Sequence, residues 1–214
     1  MNVSTDIAAG YGGGRWPAEC GGPQRTKLAA GGMRPRAGET LRAHHRETDR
    51  WNVMFVWRGD DLYLFGTTRL GDPAPHGWVE RVDPVTLEPL ASAGDLPCGG
   101  HTWCGAIALH RNGDLYAVNG SYMHRLSPSL EVLAERELPV DGAHNGLLIM
   151  PDGNIVTKDL RLEGAPSTMT VLEPERLDVV STLVLPEPSM GRITAATSAG
   201  ASAGASAGAS AGAS

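Results

Sequence analysis

The chain has 214 residues, of which 41% are hydrophobic, and a formal net charge of −6 with no basic block. Such a length supports one sizeable core or two small ones, and the acidic balance argues against nucleic acid as a partner. No apolar run reaches the roughly 18 residues of a membrane span, and the N-terminus lacks a charged-then-apolar signal pattern, so a soluble, cytoplasmic protein with no membrane partner is expected.

Glycine (28) and proline (15) together make up about a fifth of the residues, which favours many turns over long helices. Three cysteines, Cys20, Cys98 and Cys104, are too few for a disulfide framework. Cys98 and Cys104 could pair, or could be two thiols on a loop and the strand after it.

Residues 1–48 are rich in Gly, Ala, Arg and Pro, with GYGGG at 10–14 and almost no apolar periodicity. Such a stretch buries too little to offset the entropy of ordering, and a disordered leader is expected. Order begins at Trp51. Residues 51–57 (WNVMFVW) and 62–65 (LYLF) are apolar runs around a turn, followed by a polar loop at 66–76, a short run at 79–82 and Asp83-Pro84-Val85-Thr86-Leu87. The same order recurs at 104–139: CGAIAL, Arg111-Asn112-Gly113, DLYAV, YMHRL, Ser127-Pro128-Ser129 and LEVL. It recurs again at 141–186, where GLLIM and Ile155-Val156-Thr157 flank Pro151-Asp152-Gly153. There proline presets φ for a turn's second position, Asp caps its own backbone, and Gly accepts φ > 0.

Spacings support a repeat. Pro84, Pro128 and Pro174 are 44 and 46 residues apart, and Pro97, Pro139 and Pro186 are 42 and 47 apart. A period in the forties with four short strands per copy is a propeller-blade signature. Laid without gaps, Asn52 falls on Asn145 and Leu62 on Ile155. Met190-Gly191-Arg192-Ile193 could open a fourth unit. The chain then ends in an Ala-Gly-Ala-Ser tract that can pack no core, which invites the expectation of a truncated protein with a flexible tail. The expected organisation is therefore a leader at 1–48, blades of an incomplete ring at 49–193 and a low-complexity tail at 194–214. The expected class is all-β, a partial β-propeller of about three to four four-stranded antiparallel blades with disordered N- and C-terminal tails. Its open ends would favour edge-to-edge self-association.

The Asp-Pro-Val-Thr-Leu turn at 83–87 and the Pro-Asp-Gly-Asn-Ile stretch at 151–155 resemble YVTN-type repeats. Asn145-Gly146 followed by Pro151-Asp152-Gly153 is also similar to the gluconolactonase/regucalcin family of six-bladed propellers. This resemblance implies a divalent metal, Ca²⁺ or Zn²⁺, near the central channel, with Asn145 at a ligand position. The family's early Glu-Gly-Pro context and its later Asp have no match here.

Residues just before each first strand would lie at the channel mouth. Asn52, His101, His144 and Asn145 could converge there, with His serving as a base or a metal ligand. Such residues also commonly satisfy loop backbone groups. Trp51, Trp57, Trp78 and Trp103 read as packing between blades. No Gly-x-Ser-x-Gly or phosphate-binding loop is present. The favoured expectation is a module binding a small molecule or protein at the mouth. The alternative is a metal-dependent, lactonase-like hydrolase whose activity this chain has lost.

Overall fold

The apolar runs pair with their neighbours in sequence, because connections of two to nine residues leave each strand beside the next. The computed structural model describes residues 6, 8–28, 36–40 and 42–196, with side chains 52, 53 and 104 outside the description. It contains three four-stranded antiparallel sheets, each in sequence order. The first comprises β1 (Trp51–Arg58), β2 (Asp61–Thr67), β3 (Gly77–Val82) and β4 (Pro89–Leu96). The second comprises β5 (Cys104–Leu109), β6 (Leu115–Asn119), β7 (Tyr122–Leu126) and β8 (Val132–Glu137). The third comprises β9 (His144–Ile149), β10 (Ile155–Asp159), β11 (Thr168–Leu172) and β12 (Val179–Val184). Among the described residues there is no α-helix, only a 3-10 turn at Glu19–Gly21, and no helix long and apolar enough to cross a membrane.

The turn between the third and fourth strands opens each time on a side chain that accepts from its own backbone, alike in the first and third sheets and one residue shorter in the second. Asp83 accepts hydrogen bonds from the Val85 and Thr86 amides at 2.8 and 2.7 Å, and Glu173 does so from the Glu175 and Arg176 amides at 2.8 and 2.6 Å. Ser127 accepts from the Glu131 amide at 3.0 Å. Each turn then places a leucine in the left-handed region: Leu87, Leu130 and Leu177, with φ of 65°, 70° and 62°.

First strands stand next to one another, β1 against β5 and β5 against β9. Between the sheets lie fully buried Tyr63, Phe65, Ile107, Leu115, Tyr116, Met123, Leu126 and Ile155. Side chains alternate across each strand, so one face of a sheet meets the sheet before it and the other meets the sheet after it. Polar handovers fix the order. Tyr63 donates its hydroxyl to the Pro128 carbonyl of the second sheet's last turn (2.9 Å), and Tyr116 does the same to Pro174 of the third (2.8 Å). Arg125 adds ion pairs to Asp114 and Glu175, both at 2.7 Å. The third sheet carries Asn154, Val156 and Val171 where the second carries Asp114, Tyr116 and Arg125, so it has no such handover. Tyr116→Phe is expected to cost about 0.5–1.5 kcal/mol. Tyr63→Phe should cost less, since the Tyr116 hydroxyl also accepts from Asn112 Nδ2 (2.9 Å), and the two should add, as urea midpoints of single and double variants will show.

The two outward faces are covered by short segments rather than by sheets. On the first sheet Arg46 and Arg50 both pair with Glu80, which is 4% exposed, and the Arg50 guanidinium lies 4.5 Å over the Trp78 ring. Burial raises the Glu80 pKa, but the hydrogen bonds and charges of the two arginines outweigh it and hold the carboxyl below its ordinary range. On the third sheet Lys158 donates to the Ser189 carbonyl (2.7 Å) and Asn145 to that of Met190 (2.8 Å).

One expectation is corrected here. Residues 187–193 open no fourth unit; they form no strand and lie against the third sheet and the leader. Within the leader, residues 8–28 lie along the free edges of β1 and β5, with bridges Tyr11↔His110, Trp16↔Trp57 and Ala18↔Ala108. Composition concealed this because the contacts are made largely by backbone. The Ala-Gly-Ala-Ser tract at 197–214 lies outside the described residues.

Candidate functional site

The N-terminal ends of β1, β5 and β9 are where the site residues were expected. Strand register assigns them: Asn52 pairs with Gly66, Cys104 with Asn119 and His144 with Asp159, each just before a bulge. Asn52 thus corresponds to His144, not to Asn145. Four residues separate the paired Trp57 and Leu62, whereas five separate Ile149 and Ile155. An ungapped overlay slips by that one residue, and a one-residue slip turns every side chain to the opposite face.

His101 and His144 are brought together by one glycine. The loop before β5 is tied to Gly120-Ser121: the Ser121 amide donates to the Cys98 carbonyl (3.2 Å) and the Gly120 amide to that of Trp103 (3.3 Å). The Gly120 carbonyl in turn accepts from the His144 amide at 2.9 Å. His101 is half-exposed, and its Nε2 lies 2.8 Å from Asp141 Oδ1.

His144 is fully buried, and its Nδ1 lies 3.1 Å from two carbonyl oxygens, those of Gly120 and Gly142. Carbonyls only accept, so Nδ1 carries the proton and Nε2 is a free acceptor. Among the described residues that Nε2 has no partner. Burial lowers the His144 pKa, against the pull of the two carbonyls and Asp159, and keeps the ring neutral. The next residue repeats the pattern. Asn145 spends its Nδ2 on the Met190 carbonyl, while its Oδ1 is buried and unpartnered.

Sequence reasoning missed Lys158. It is 2% exposed, and its ammonium donates to the Asp159 and Ser189 carbonyls at 2.9 and 2.7 Å. Burial lowers its pKa and the Asp159 charge partly restores it. A lone lysine between Thr157 and Asp159 at the end of an apolar strand was the available signal. Cys98, 1% exposed, is a free thiol that donates to the Pro75 carbonyl at 3.1 Å. Burial pushes its pKa up, which disfavours the reactive thiolate.

The metal implied by the resemblance does not fit these residues. Asn145 Oδ1 is one neutral donor, and the Asp159 carboxylate is spent on the Thr168 amide and on Arg161. Among the described residues no three His, Cys, Asp or Glu side chains gather in one place. Calcium requires six to eight oxygens, and zinc three or four ligands. The Asn52 side chain lies outside the description, so Asn52 reaches this region by backbone register alone. No protein-family model matches the chain, and no curated protein matches it.

Proposed function

We propose that this chain is a non-enzymatic binding module, an arc of propeller-type blades of the kind its YVTN-like turns resemble, with its ligand at the mouth over the second and third sheets. One observation carries the reading. Among the described residues His144 Nε2 is a buried acceptor with no donor, in a ring held against the Gly120 and Gly142 carbonyls, beside the His101–Asp141 pair. Leaving an acceptor buried and unpaired costs about 1–3 kcal/mol, which a ligand carrying hydroxyl or amino donors would recover. No side chain here is placed as a nucleophile, and the donor set for a lactonase metal is absent among the described residues.

Polyol and amine fragments, followed through the imidazole NMR signals of His101 and His144, test this. Hits should move both signals, and His144→Phe should weaken them about tenfold or more. No responding fragment would refute the mouth reading. Calcium- or zinc-dependent heat in calorimetry, abolished by Asn145→Ala, together with hydrolysis of gluconolactone, would establish the metal-dependent alternative.

Self-association between copies has its own support. The outermost strand β12 (VVSTLV) carries no charge, with Val180, Leu183 and Val184 at 56%, 60% and 65% exposure, whereas β8 carries Glu135, Arg136 and Glu137. Edge strands without charge pair readily. Leu183→Lys should abolish any concentration-dependent dimer seen by sedimentation.

A further inference from the structure

The leader crosses the three first strands in a register set by its glycines. A Cβ on Gly10 would fall within 3.0 Å of the Met150 carbonyl oxygen, one on Gly12 within 3.0 Å of that of His110, and one on Gly14 within 3.0 Å of that of Trp57. Those carbonyls stand at the ends of β9, β5 and β1. Gly10, Gly12 and Gly14 thus meet the third, second and first sheets in turn, and at each of these contacts only a hydrogen fits; Trp16 and Ala18 then bridge to the first and second sheets.

Hydrogen bonds follow the same line. The Arg111 amide donates to Gly10 (2.9 Å), the Gly12 amide to Leu109 (2.9 Å), the Leu109 amide to Pro17 (2.7 Å) and the Trp57 amide to Trp16 (2.9 Å). Tyr11, 8% exposed, is the anchor between the first two glycines, and its hydroxyl accepts from the Ile149 amide at 3.0 Å. The Trp16 ring stacks on Phe55 with centroids 5.6 Å apart.

We propose that the free edges of β1, β5 and β9 form a binding channel for a peptide with glycine at the positions of Gly10, Gly12 and Gly14, tyrosine between the first two and a bend after them, and that residues 10–18, which bend at 13–15, occupy it in cis. Each first strand is already paired on its other side, to β2, β6 or β10, so the sheets do not need the leader for their ladders. The leader adds no strand to them: its ladder pairing is confined to isolated bridges, and Tyr11, Trp16 and Ala18 supply the packing. It is joined to β1 through residues 36–40, all exposed. Main-chain bonds supply affinity in such strand addition, and alternate positions supply selectivity. This channel is separate from the mouth acceptors and does not depend on them.

The test uses the full chain with a protease recognition sequence inserted between Gly38 and Glu39. After cleavage, the leader fragment should co-elute with the sheets in gel filtration. A synthetic peptide of residues 8–28 should displace it while the far-UV circular dichroism of the sheets persists. The same peptide with Gly10, Gly12 and Gly14 changed to alanine should compete about a hundredfold less well, since each methyl must push strand backbone aside. Immediate loss of the fragment, equal competition by the alanine peptide, failure of any excess to displace it, or unfolding on displacement would each overturn the proposal.

Discussion

Trp78→Ala is expected to lower stability by about 3–5 kcal/mol, the usual loss for a buried aromatic. Trp78 is fully buried, yet no sheet covers it. Its Nε1 donates to the Thr67 carbonyl at 3.2 Å, and its ring is roofed by Arg50, itself held by Glu80. Removing the ring therefore takes away the apolar floor on which the 46–50 segment rests, and it exposes Glu80 and its partners to water. Urea unfolding followed by circular dichroism measures the effect, with an expected fall in midpoint of about 1–3 M. A loss under about 1 kcal/mol would show that this outward face is not packed as described. Glu80→Gln is the gentler companion: it keeps the shape, leaves two arginines without a charge partner, and should reduce stability by less than Trp78→Ala.

The second large effect is a loss of stability in mild acid centred on His124. This histidine of β7 lies in the interface between the first two sheets, fully buried, and neither ring nitrogen is hydrogen-bonded. Burial pushes its pKa down from 6.5 to about 4, and the Ala117 backbone on the paired strand opposes this only slightly. Glu135 stands 3.4 Å from Nε2, but it is 39% exposed and too well solvated to hold the ring charged. The unfolded chain takes up its proton near pH 6.5, while the folded chain resists until about 4. Stability is therefore unaffected by this group above pH 6.5, falls as pH drops from 6.5 to 4, and levels below that. The full difference is about 3 kcal/mol. His144 acts in the same direction, since burial lowers its pKa too. His124→Leu should leave stability at pH 7.5 within about 1 kcal/mol of wild type, because no hydrogen bond is lost, and should flatten the acid limb. An unchanged acid limb in that variant would place the titrating group elsewhere.

Strands, turns and the repeat were legible because their signals are local. The Asp-Pro-Val-Thr-Leu turn at 83–87 declares itself through a carboxylate that reaches amides two and three residues on. Apolar runs such as CGAIAL and GLLIM declare a strand buried on both sides. The mouth was legible only in part. His101 and His144 both stand beside Gly120, but the ungapped link between Asn52 and Asn145 fails on a single turn residue. Lys158 passed unnoticed because its partners, the Asp159 and Ser189 carbonyls, are backbone atoms that carry no side-chain signature.

By itself the sequence determined three four-stranded units, their turns and their order, since alternation and turn chemistry act over a few residues. Only the tertiary structure decided what covers the sheets. The roles of GYGGG and of the Arg46–Arg50 segment depend on backbone and charge meeting across tens of residues, and a residue without a side chain leaves no pattern from which that meeting can be read.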